Sequence, residues 1–297
     1  MKYNENNKPI QCIMTNSSCY NGTTIGTPVG VLWHSTGANN PWLSRYVQPS
    51  PNDPNRDKLI RLIGKNTGAN DWNNYPIQAG LNAWIGKMAD GSVNSIQALP
   101  WNYRAWGCGG GRNGSCNGSS AVKNSPFWLQ FEICEDSLNN KSYFNAVYKE
   151  AVELTAYWCK LFNLDPFGTV LYNGVKVPVI LDHAESHKLG LGSNHGDVQH
   201  WFKKYGKTLD DIRNDVYNLL QDKEEEDDMT QERFNELMTE WLKNEAEKEP
   251  SNWSEEDRKW AEQNGIVRGD EAGRKMYKKF VTREEMAAML HRANGVD

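Results

Sequence analysis

Nowhere in the 297 residues is there an apolar run long enough to cross a bilayer, and the amino terminus, Met1 to Asn7, has no apolar core of the kind a secretory signal needs. No membrane-spanning helix is therefore expected, and synthesis in the cytoplasm without a signal peptide is. No domain is strongly basic, so neither nucleic acid nor a membrane is an expected partner. Six cysteines stand at 12, 19, 108, 116, 134 and 159, yet no C-x-x-C occurs. Cys12/Cys19 and Cys108/Cys116 are spaced to close short disulfide loops in an oxidising exterior. Free thiols, or a structural metal held by four thiolates, are the alternatives.

What is present divides the chain in two. Residues 1–221 carry 20 Lys and Arg against 17 Asp and Glu, a net charge of +3; residues 222–297 carry 13 against 21, a net of −8. The break falls at Gln221-Asp222-Lys223-Glu224-Glu225-Glu226-Asp227-Asp228, where no apolar residue is available for burial. Residues 222–228 therefore read as a solvated linker or a frayed helix end between domains 1–221 and 229–297.

Upstream, short apolar runs at 28–33, 79–85, 93–99, 127–133 and 177–182 read as strands. Helical spacing appears in Ser142–Phe162, where Phe144, Val147, Tyr148, Ala151, Val152, Leu154 and Thr155 share a face, and in Thr208–Leu220 behind the N-cap Thr208. The fold class is α/β (α+β), a mixed central β-sheet flanked by helices, followed by a small all-helical domain. The 12 tryptophans include candidates for stacking on sugar faces, although most are expected to fill core.

His34 closes the first apolar run, in Val31-Leu32-Trp33-His34-Ser35-Thr36-Gly37, and further ligand types return in Asp182-His183-Ala184-Glu185-Ser186-His187 and Asn194-His195-Gly196-Asp197. Any one of these side chains reads most simply as a strand-end residue satisfied by backbone or water. Together they suit a hydrolytic zinc site, which takes about three protein ligands and leaves a position open for water. Two ligands at strand ends and a third on a glycine-broken loop would be held rigidly without closing the metal off. A rival pairing, His183 with His187, has the four-residue spacing of H-E-x-x-H proteases; Ala184 stands where that motif needs its general base, and the strand ending at Leu181 argues against a helix there.

The segments Trp33-His34-Ser35-Thr36-Gly37-Ala38-Asn39-Asn40, Phe131-Glu132-Ile133-Cys134-Glu135-Asp136 and His183-Ala184-Glu185 through Asn194-His195-Gly196-Asp197-Val198-Gln199-His200-Trp201 resemble the zinc N-acetylmuramoyl-L-alanine amidases of phage and clostridial cell-wall lysins. These share their fold with T7 lysozyme and the peptidoglycan recognition proteins. The resemblance runs from about Cys12 to Leu220 and keeps the motif order.

It implies an endolysin that acts on bacterial peptidoglycan after release at lysis, cutting between N-acetylmuramic acid and L-alanine of the stem peptide. It implies one zinc per chain, held by His34, His183 and Asp197. Glu132 falls where many relatives place a Glu and is the implied general base; its plain alternative is a strand-end salt bridge. His195 stands where the family often has Lys, and as imidazolium it would supply similar charge against the oxyanion. Gly107 departs from the Trp-His of many relatives. Glu185, His187 and His200 are candidates to orient ligands. Two other readings stay open: a non-catalytic peptidoglycan-binding module of the same fold, and a zinc endopeptidase cutting within the stem peptide.

In the tail, Met229–Glu247 has Phe234, Leu237, Met238, Trp241 and Leu242 at helical spacing, Ser254-Glu255-Glu256-Asp257 opens a second helix ending at Gly265, and Thr282-Arg283-Glu284-Glu285 is a capping box for a third. Trp260-Ala261, Gly265-Ile266-Val267-Arg268-Gly269 and Val281 to Arg292 resemble one S-layer homology repeat. That resemblance implies binding of cell-wall polysaccharide through 229–297. A helical module that packs or forms homo-oligomers is the alternative, since one helical pair buries little surface.

Overall fold

The computed structural model describes residues 8–74, 77–227, 231–270 and 272–295. They form two compact units, Met1–Lys223 and Glu224–Asp297.

The first unit is built on a five-stranded sheet of order β3-β2-β4-β1-β7, with β1 Thr27–Ser35, β2 Ala83–Lys87, β3 Val93–Gln97, β4 Pro126–Ile133 and β7 Ile180–Asp182. β2, β4, β1 and β7 run parallel, and β3 joins antiparallel at the edge. The strand sequences show no clean alternation because both faces are covered. Val31, Trp33, Phe127, Leu129, Phe131 and Ile133 pack on one side against Phe144, Val147, Ala151, Leu154 and Trp158 of α3 (Lys141–Phe162). Asn140 caps that helix by accepting the Tyr143 N–H at 3.0 Å. Leu32, Trp128 and Leu181 point to the opposite side and pack with Cys108, Cys116 and Leu191. A further cluster joins Trp84 and Ile96 to Leu59 and Ile63 of α2 (Arg56–Ile63). A short α1 (Ser18–Gly22) precedes the sheet.

The mixed sheet with flanking helices and a helical tail is the class read from the sequence. The run 177–182, however, is two strands: β6 (Val175–Pro178) pairs with β5 (Thr169–Tyr172) in a separate hairpin, and β7 pairs with β1. The helix read as ending near Leu220 is α6, Leu209–Asp227, so the acidic segment is helical as far as Asp227; Asp228 lies outside the described residues. All six cysteines are buried free thiols. The Cys108 thiol donates to the Leu191 carbonyl at 3.1 Å.

In the second unit, α7 (Gln231–Ala246), α8 (Glu255–Gln263) and α9 (Arg283–Ala293) follow the short α4 (His183–Lys188) and α5 (Gln199–Phe202) of the first. Met229 lies outside the described residues. Thr282 and Glu285 form the expected capping box.

Candidate metal centre

The parallel strands bring chemistry to their carboxyl ends, where open α/β sheets present ligand sites. His34 stands opposite Glu132 in the β1–β4 register, and Trp33 stands opposite Asp182 in the β1–β7 register. Side chains alternate along a strand, so His34, Gln130 and Glu132 share the face of Leu32 and Trp128. His183 opens α4, directly after β7. The Asp182 side chain caps that helix, accepting the Glu185 N–H at 2.7 Å. The strand ending before His183 therefore does not keep it out of a helix, because the Asp182 cap starts one at the next residue.

His34 and His183 are almost fully buried, at 2% and 1% exposure. His34 Nδ1 lies 3.0 Å from His183 Nδ1 and 3.2 Å from Asp197 Oδ2, and His183 Nδ1 lies 3.5 Å from Asp197 Oδ1. A tetrahedral zinc with ligand bonds of about 2.0–2.2 Å separates its donor atoms by roughly 3.3–3.6 Å. The observed spacings lie near that range, and two imidazoles with a carboxylate are a donor set zinc accepts. These three residues are the potential ligand group among the described residues, and they can hold a metal ion.

The electrostatics are those of a tightly packed charge site. Burial depresses His34 from the ordinary imidazole value, against the carboxylate of Asp197. For Asp197, burial acts upward but is outweighed by hydrogen bonds and charge from His183 and His34, which hold it well below the usual carboxylate range. His183 is lifted: burial alone would lower it, and Asp197 reverses the sign. Glu132 is pushed well above the usual range by burial, then by the negative charges of Asp197 and Glu135.

A cavity of about 670 Å³ opens over this group, lined also by Trp72, Glu132, His195 and His200. Glu132 is thus in the same cavity as the trio. His195 is 63% exposed, its ring centroid 4.6 Å from that of His183 and its Nδ1 4.0 Å from Asp197 Oδ1. His187 is outside the cluster: it is exposed, and its Nδ1 lies 3.2 Å from the Gly192 carbonyl oxygen. Glu185 pairs with Arg213 at 2.9 Å. His200 pairs with Glu135 at 3.0 Å.

No family model matches the chain, and no curated protein matches it significantly. Among solved structures it is similar to the Staphylococcus aureus hydrolase AmiA in complex with its ligand, at 16% identity over 73% of this chain and 83% of that one, with a TM-score of 0.44. It is also similar to PlyL, at 14% identity over 70% and 96% with a TM-score of 0.40. For the catalytic domain of XlyA the values are 14%, 70% and 99%, with a TM-score of 0.41. At this level of overlap the likeness assigns no chemistry.

Three contributors escaped the sequence reading. Gln130 and Ser193 each contact an imidazole, and Glu135 anchors His200. Gln130 left a trace, a lone polar residue inside the apolar run Phe127–Phe131. The structure also accounts for Gly107. A Cβ there would lie 2.4 Å from Leu81 Cδ2 and 2.7 Å from Gln130 Oε1, so Leu81 and Gln130 already fill the place of a side chain.

Proposed function

We propose that the first unit is a zinc-dependent N-acetylmuramoyl-L-alanine amidase acting on peptidoglycan. The observation that carries this reading is the convergence of His34, His183 and Asp197 at the floor of a cavity whose wall holds Glu132. The motif resemblance supplies the substrate.

His34, His183 and Asp197 would hold the metal. When bound, zinc lowers the pKa of water toward neutrality and polarises a carbonyl. The remaining work falls to the chain's own groups. Glu132, made more basic by its buried and anionic setting, takes a proton from the attacking water and returns it to the leaving nitrogen as the carbon–nitrogen bond breaks. The products are the free lactyl carboxylate and a stem peptide with an alanine amino terminus. His195, at the exposed rim, is placed to meet charge developing on the carbonyl oxygen. Trp72 gives the cavity an apolar wall for the substrate.

The second unit is proposed to hold cell-wall polysaccharide, a reading that rests on its S-layer-like segment.

Metal analysis tests the site. The full chain is expected to bind about one zinc, lost in each of His34→Ala, His183→Ala and Asp197→Ala. Retention in Asp197→Ala together with loss in His187→Ala would overturn the ligand set in favour of the His183/His187 pair.

A further inference from the structure

Each histidine of the trio turns one ring nitrogen toward Asp197 and the other away. His34 Nε2 lies 3.1 Å from Gln130 Oε1, and His183 Nε2 lies 3.1 Å from Ser193 Oγ. Which nitrogens carry protons follows from a chain that starts at a backbone group of fixed direction. The Cys108 N–H donates to Asn117 Oδ1 at 3.1 Å, and the Asn117 amide nitrogen donates to the Gly109 carbonyl at 3.2 Å. Both bonds identify Oδ1 as the oxygen end. The Gln130 group 2.8 Å from that oxygen must then be its NH2. Gln130 Oε1 is thereby left facing His34, and an acceptor there requires the proton on Nε2.

On the other side of the same residue, the Cys108 carbonyl accepts the Ser193 hydroxyl at 3.2 Å. That carbonyl also accepts the Ser193 N–H at 2.9 Å; a hydroxyl has one proton, and when Ser193 gives it to the carbonyl, its Oγ accepts from His183 Nε2–H. With both imidazoles neutral in this tautomer, their Nδ1 lone pairs face the Asp197 carboxylate; a proton on either imidazole makes its Nδ1 a donor to Asp197, and a cation would take the place of that proton.

We propose that residue Cys108, through its backbone N–H and carbonyl, is the common anchor that fixes both imidazoles in the Nε2–H tautomer, with Asn117, Gln130 and Ser193 as the positioning residues. The proposal uses the metal reading for its purpose but not for its geometry. It also gives Gly107 a reason: the glycine leaves room for Gln130 beside His34. Partners of this kind, beyond the ligands themselves, typically change metal affinity by about 10- to 100-fold.

The test uses the full chain with ¹⁵N-labelled histidine, free of metal and at alkaline pH, where the imidazoles are neutral. NMR of the ring nitrogens should show His34 and His183 as Nε2–H tautomers. In Ser193→Ala only His183 should lose that preference; in Gln130→Met only His34 should. Zinc affinity, measured by competition with a chromophoric chelator, should fall roughly 10- to 100-fold in each variant and return in Ser193→Thr. An Nδ1–H tautomer in the parent chain, or undiminished zinc affinity in Ser193→Ala, overturns the proposal. Ser193 lies on a half-exposed loop, so the Ser193→Ala and Ser193→Thr pair decides the matter even if Gln130→Met does not fold. If the tautomers are as stated but the parent chain binds no zinc, the metal reading fails and the anchor stands.

Discussion

Glu132 is a carboxylate whose surroundings oppose its ionisation, the setting that its proposed role in proton transfer calls for. Burial contributes most, and Asp197 and Glu135 add like charge. Glu132→Gln is expected to keep zinc while lowering turnover by roughly two to four orders of magnitude, measured on a soluble muropeptide. Near-normal turnover would return Glu132 to a structural role. A few residues away, the His200–Glu135 pair sets a pH window for stability. The Glu135 hydrogen bond raises His200 above its ordinary value, so its contribution is present in the acidic range and is lost as pH rises through that raised pKa. Burial alone would raise Glu135, but His200 and Ser35 hold it low, so its contribution is lost only as pH falls below the usual carboxylate range. Chemical denaturation of the parent chain and His200→Gln should therefore differ most between the ordinary Glu and His ranges. A difference that does not vary with pH would contradict this. His34 and His183 were legible as strand-end ligand types, while Asp197 and Glu132 were marked by their places in the motif resemblance. Gln130 and Ser193 were not, because an amide or a hydroxyl declares its role only once its partner is beside it.

At the scale of elements, His183 is presented by a strand–helix junction, and Arg213 on α6 ties that junction down. Its guanidinium donates to the Ile180 carbonyl at 2.7 and 3.1 Å and pairs with Glu185 of α4 at 2.9 Å. Hydrogen bonds to charged groups contribute about 1.5–3 kcal/mol each, so Arg213→Ala should destabilise the first unit by at least roughly that amount in urea denaturation. A loss below about 0.5 kcal/mol would mark the ion pair as a bystander. Most strands and α3 were readable from apolar runs and spacing, because burial on both faces of a parallel sheet leaves continuous apolar segments. The division of 175–182 between two sheets was not. It depends on which strand each half meets: Val170 opposite Val177, and Leu32 opposite Leu181. The α4 start at His183 was missed for a related reason, since an aspartate after an apolar run ends a strand as readily as it caps a helix.

Over the whole molecule, the charge reversal near residue 222 lies close to the division between the compact units at Lys223 and Glu224. The first unit has the deep apolar core and the polar trio. In the second, Trp241, Trp253 and Trp260 are exposed, and Ala246 and Ile266 are its buried apolar residues among those described. This division places the proposed chemistry wholly upstream of the unit proposed to bind cell-wall polysaccharide. The central claim is that the upstream unit cleaves one kind of bond with the help of a metal. Product analysis of digested peptidoglycan tests it most directly. New amino termini should begin with alanine and no new reducing sugars should appear, and the activity should vanish on chelation and return with zinc. Reducing ends, amino termini from within the stem peptide, or cleavage indifferent to the chelator would contradict the account.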